Sequence, residues 1–111
     1  MPSQREDYLL RLLRQAAEAL RRLREAVKGE ASPTGIEREA GAAIAELLGP
    51  RYGLLSSLDP HSAASLIADQ RRIELWANLL RVQGEARRQS GDEPGAIALE
   101  RRADALEQAL S

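Results

Sequence analysis

Six apolar residues, Leu9, Leu13, Ala16, Leu20, Leu23 and Val27, recur along the first quarter of the chain at spacings of four, three, four, three and four. That period places them on one stripe of an α-helix. Leu10, Leu12, Ala17 and Ala26 widen the stripe beyond the narrow seam of a coiled coil. Ser3-x-x-Glu6 fits a capping box, in which each side chain satisfies an orphan N–H at the other residue. Gly29 can take the left-handed turn that ends helices. The expected helix, through Lys28, is about 37 Å long. That is more than a compact bundle of this size needs, so its far end is expected to protrude or to meet a partner.

Residues 29–33 read as a linker, and Thr34-x-x-Glu37 offers a second capping box for a helix ending at Leu48. Its buried face is Ile36, Ala40, Ala43, Ile44, Leu47 and Leu48, and Gly49-Pro50 stops it. Residues 51–58 are expected to be a connector packed on the core through Tyr52, Leu54, Leu55 and Leu58. Asp59-Pro60 fits the N-cap and first position of a short helix reaching Ala68. Asp69 either caps a fourth helix, carrying Ile73, Trp76, Leu79, Leu80 and Val82, or lies inside a continuous one. Asp92-Glu93-Pro94 opens the last helix, with Ala96, Ile97, Leu99, Ala103, Leu106 and Leu110 as its apolar positions. No segment alternates with period two. The chain therefore reads as one all-α domain over 1–111 with about five helices: a long helix 1–28, short helices over 34–68, and a helical hairpin over 69–111.

Within that hairpin Gly84, Gly91, Ala96 and Ala103 are spaced so that small residues face each other across a tight Gly-Asp turn. This segment, about Ala77 to Leu110, resembles one tetratricopeptide repeat. Gly84 and Ala96 match the repeat's close-contact positions, Gly91 its turn glycine and Ala103 its later small position. Gln83, Arg87 and Glu100 depart from it, standing where the repeat has leucine, an aromatic and a large apolar residue. The resemblance implies either a hairpin that builds the core or a peptide-binding surface, and a groove of the usual kind needs stacked copies. The opening Glu6-Asp7-Tyr8-Leu9-Leu10-Arg11-Leu12-Leu13, taken with Gly84-Glu85-Ala86 and Ser90-Gly91-Asp92, resembles a family of small all-helical bacterial proteins of unassigned function. That resemblance implies an all-α fold and no activity.

The 111 residues carry 16 basic and 17 acidic side chains, a formal net charge of −1. A balance this even gives no overall field to gather nucleic acid or anionic membrane. With no cysteine, disulfides, thiolate zinc sites, iron–sulfur ligation and a cysteine nucleophile are excluded. His61, the single histidine, cannot make a multi-histidine metal site within one chain. No cofactor is called for. Arg or Glu interrupts every apolar stretch short of the ~20 residues that span a bilayer, and the acidic start lacks the basic region of a secretory signal. The expectation is a soluble cytoplasmic protein. Every basic side chain but Lys28 is arginine, which together with heavy Ala and Leu usage points to a GC-rich bacterial genome.

Candidate chemistry is sparse. His61 has a near-neutral reference pKa suited to a general base, but no acid or nucleophile is spaced to it. Ser56, Ser57, Ser62 and Ser65 fit caps and first turns. Glu37 with Glu39, and Asp92 with Glu93, lie in first turns that complement the helix dipole. Trp76, between Ile73 and Leu79, reads as core. Four arginine pairs remain: Arg21-Arg22, Arg71-Arg72, Arg87-Arg88 and Arg101-Arg102. Helix-spaced partners at i,i+4, such as Arg21 with Glu25, are expected to neutralise part of this charge.

The expected role is a helical protein–protein interaction or self-association module without catalytic activity. A homodimer or another protein partner would be met through Tyr8, Leu9, Leu12, Leu13, Leu20 and Leu23 on the long first helix. The alternative is a nucleic-acid-binding accessory protein in which Arg21, Arg22, Arg71 and Arg72 converge on an anion.

Overall fold

The first stripe is buried as its spacing requires: Leu12, Leu13, Ala16, Ala19, Leu20 and Leu23 are inside a helix, α1, that spans Gln4–Lys28 in the computed structural model. The structure describes residues 4–110, so the expected cap Ser3 lies outside the described residues. Gly29 does not take the left-handed conformation. Its N–H instead closes a turn on the Ala26 carbonyl at 3.2 Å.

Helix α2 spans Pro33–Leu48. Ser32, not Thr34, holds the N-cap position, its side chain makes no capping bond, and Pro33 starts the helix with a pre-set φ. The expected Thr34–Glu37 capping box does not form, because Glu37 is engaged by Arg87 of a later helix. Gly49, at φ +67°, ends α2.

The expected connector is structured. A 3₁₀ turn, Gly49–Arg51, leads into α3, Tyr52–Ser57. Of its apolar residues only Leu55 is buried and Leu58 partly so, while Tyr52 and Leu54 are exposed. Helix α4, Pro60–Ile67, begins at the Asp59 cap, whose carboxylate accepts from the Ser62 N–H at 3.1 Å. It stops at Ala68, which stands in the left-handed region at φ 60°. Asp69 then caps α5, Gln70–Gln89, accepting from the Arg72 N–H at 3.1 Å, so no continuous helix runs through Asp69. The Gly91 turn, at φ +88°, and the Asp92 cap, accepting from the Gly95 N–H at 3.0 Å, open α6, Glu93–Gln108.

The described residues are thus all-α, with five helices of eight residues or more, the short α3 and the 3₁₀ turn. Helices α1 and α2 are antiparallel, α2 and α5 antiparallel, and α5 and α6 form the C-terminal hairpin with the most extensive contact of all. Trp76, 2% exposed, sits in the core with Leu23, Leu47, Leu48, Leu55, Ile73 and Leu79. Gln89 Nε2 donates 3.2 Å to the Val27 carbonyl, so the far end of α1 is held against α5 and does not protrude.

Candidate functional site

The residues expected to form an interface lie on two sides of the protein surface. Leu12, Leu13, Leu20 and Leu23 are inside the chain's own core and Leu9 packs at its edge, because α2 and α5 together cover the stripe. Tyr8 alone of the six is exposed, at 51%. The four candidate anion contacts do not converge. Arg21 pairs back to Glu18, not with Glu25, and Arg71 pairs with Asp69 at 3.1 Å. Arg72 donates 2.8 Å to the Leu47 carbonyl and so caps the C-terminus of α2. Burial lowers the pKa of its guanidinium, and the nearby Arg51 adds to this. Only Arg22 is left to face the surface without an ion-pair partner.

Arg22 belongs to a trough between α1 and α2, with a volume of about 500 Å³, whose floor includes Ala19, Ala42 and Ala43. Its α1 rim carries Arg14, Gln15, Glu18 and Arg22, and its α2 rim Glu39 and Glu46. A second depression of about 440 Å³, lined by Tyr8, Arg11, Leu12, Gln15, Glu46 and Gly49, shares Gln15 and Glu46 with the first, so the two run into one another. Gln15 thus lies level with Glu46. Seven residues on along α1 is Arg22, and seven residues back along antiparallel α2 is Glu39, so the two sets of charges face each other across two helical turns. Among the described residues Arg14, Arg22, Glu39 and Glu46 make no ion pair and no side-chain hydrogen bond.

Four arginines of α5 and α6 are, by contrast, tied down. Arg87 donates to Glu37 at 2.6 Å and to Asp92 at 2.9 Å, joining α2 to the hairpin turn. Arg88 meets Glu100 at 2.7 Å and Glu93 at 3.0 Å, and those bonds raise its pKa. Arg81 meets Asp104 at 2.9 Å and also Glu107. Arg102 donates to the Leu55 and Leu58 carbonyls at 3.1 and 3.2 Å. His61 is exposed beside Ala105 and Gln108.

The trough was not read from the sequence. The signal that could have found it is the recurrence of polar residues at i and i+7 around an alanine, Gln15-Ala19-Arg22 and Glu39-Ala42-Glu46, on two segments joined by a short linker. No helix among the described residues is long and apolar enough to cross a membrane. No family model, curated protein or solved structure matches the chain, so the functional reading rests on this geometry.

Proposed function

We propose that the chain is a protein–protein interaction module and that the trough between α1 and α2 is its docking surface. The observation that carries this reading is a contrast in pairing: Arg81, Arg87, Arg88 and Arg102 have carboxylate or carbonyl partners, whereas Arg14 and Arg22 on one rim and Glu39 and Glu46 on the other make no ion pair. With Glu18 of the α1 rim neutralised by Arg21, Arg14 and Arg22 opposite Glu39 and Glu46 along an alanine floor suit a helical partner with acid on the edge that meets α1 and base on the edge that meets α2. Alanines let two helix backbones approach closely, and the exposed Tyr8 at the end of the trough is an aromatic anchor of the kind that dominates interface energetics. The α5–α6 hairpin, with its resemblance to one tetratricopeptide repeat, serves as the scaffold that holds α2 against α1. The module has no catalytic role in this reading.

The test is an amide chemical-shift map with a designed alanine-rich helical peptide carrying glutamates along one edge and lysines along the other. The expected result is shifts at Gln15, Ala19, Ala42 and Glu46 that fade as salt rises, with no such shifts from a peptide carrying glutamate on both edges. Shifts elsewhere, or equal shifts from both peptides, would overturn the reading.

A further inference from the structure

Resting on that reading, we infer that the trough's partner is a second copy of this chain, docked about a two-fold axis that runs along the trough, so that α1 of each copy lies on α2 of the other. A two-fold interface brings one patch against itself, so it must be self-complementary. Two orientations bring the face onto itself. With the axis across the helices, α1 meets α1 of the partner copy and arginines oppose arginines. With the axis along them, each residue keeps its level while α1 and α2 exchange sides. Arg14 then faces the level of Glu46, and Arg22 that of Glu39, in the other copy, because those levels already match within one chain. Tyr8 comes over the Gly49 end of the opposite α2. Charge therefore selects the second arrangement, a bundle of four helices around Ala19, Ala42 and Ala43 of both copies.

The size of the face says how tight such a pairing is. Two helices side by side over the 16 residues of α2 present about 24 Å by 20 Å, or about 960 Å² over both copies, below the roughly 1,200 Å² at which stable interfaces begin. The association is accordingly reversible and depends on concentration.

Sedimentation equilibrium of the full chain at low and moderate salt tests this, with three variants: R14E/R22E, E39R/E46R, and all four changes in one chain. All four positions are exposed, so the fold is retained, which circular dichroism checks. The expected pattern is a dimer for the parent, at least tenfold weaker association for each double variant, and recovery in the fourfold swap. An equimolar mixture of the two double variants also recovers the dimer. A parent dimer that both double variants leave unchanged overturns the assignment of this face, and loss without recovery in the fourfold swap overturns the α1-on-α2 orientation. A parent that stays monomeric into the millimolar range overturns the second copy as partner. If the designed peptide still shifts the trough amides, the docking reading survives that result; if it does not, both fall.

Discussion

The guanidinium of Arg102 lies 5.3 Å from the centre of the Trp76 ring while donating to the carbonyls of Leu55 and Leu58. One side chain thus joins α6 to the buried tryptophan of α5 and to the C-terminal end of α3, whose last carbonyls have no helical partner. Burial lowers its pKa, but it stays charged. Replacing Arg102 by Met removes two bonds to carbonyls and the cation–π contact, a loss of roughly 2 kcal/mol. Arg101→Met, at an exposed neighbouring position, changes stability by no more than about 0.5 kcal/mol. Urea unfolding of the two variants checks this, and equal effects would refute the clamp.

The same glycine-to-alanine change has opposite signs at two positions. A Cβ on Gly84 would meet the Ala96 carbonyl at 3.3 Å and Glu100 Cγ at 3.1 Å, and the backbone of α6 cannot yield cheaply. A Cβ on Gly53 meets nothing within 4 Å. Gly53→Ala therefore stabilises by about 0.5–1 kcal/mol through helix propensity, whereas Gly84→Ala destabilises by about 1 kcal/mol. Thermal unfolding separates the two, and stabilisation at Gly84 would mean that α5 and α6 are further apart than described.

How far the sequence carries can be judged from these elements. The period of apolar residues places α1, α2, α5 and α6, while Asp59, Asp69 and Asp92 mark helix starts that the structure has, that of α4 among them. Periodicity identifies the face of α1 that is buried, but not what buries it, so it cannot tell a partner's cover of Leu12, Leu13, Leu20 and Leu23 from the cover that α2 and α5 give them. Six residues of α3 are too few to show a period, and Tyr52 and Leu54 are apolar yet exposed. Adjacent arginines look alike in sequence, but the partners of Arg72, Arg87 and Arg102 lie 25 to 50 residues away. The trough depends on which two helices lie side by side, a tertiary fact.

Ala68 holds a left-handed conformation that costs an L-residue about 1–2 kcal/mol. Its N–H still accepts the duty of ending α4, donating to the Ala64 carbonyl at 2.9 Å. Ala68→Gly relieves that strain at the cost of a more flexible unfolded chain, for a net gain of roughly 0.5 kcal/mol. A lower melting temperature for the variant would contradict the assignment.

Acid should unfold the protein through its caps and ion pairs. The bond from Arg87, then that from the Gly95 N–H, holds the Asp92 carboxyl below its ordinary value of 3.8. Arg88 does the same for Glu100, and Ser62 for Asp59. A carboxyl with a depressed folded value contributes fully above its unfolded pKa and loses that contribution as pH falls through the folded one. Stability is therefore expected to be level from neutrality to about pH 5 and to fall below about pH 4. Asp92→Asn keeps a capping oxygen without the charge and should flatten the acid limb. An unchanged pH profile in that variant would count against the account.

The central claim is that the face between α1 and α2 is where this chain meets a protein partner, itself first of all. Its most direct test is an amide chemical-shift map of the unmodified chain, recorded from micromolar to millimolar concentration. The account predicts concentration-dependent shifts gathered at Tyr8, Gln15, Ala19, Ala42 and Glu46 and absent from the exposed side of α6. Shifts confined to the α5–α6 hairpin, or none at any concentration, would contradict it.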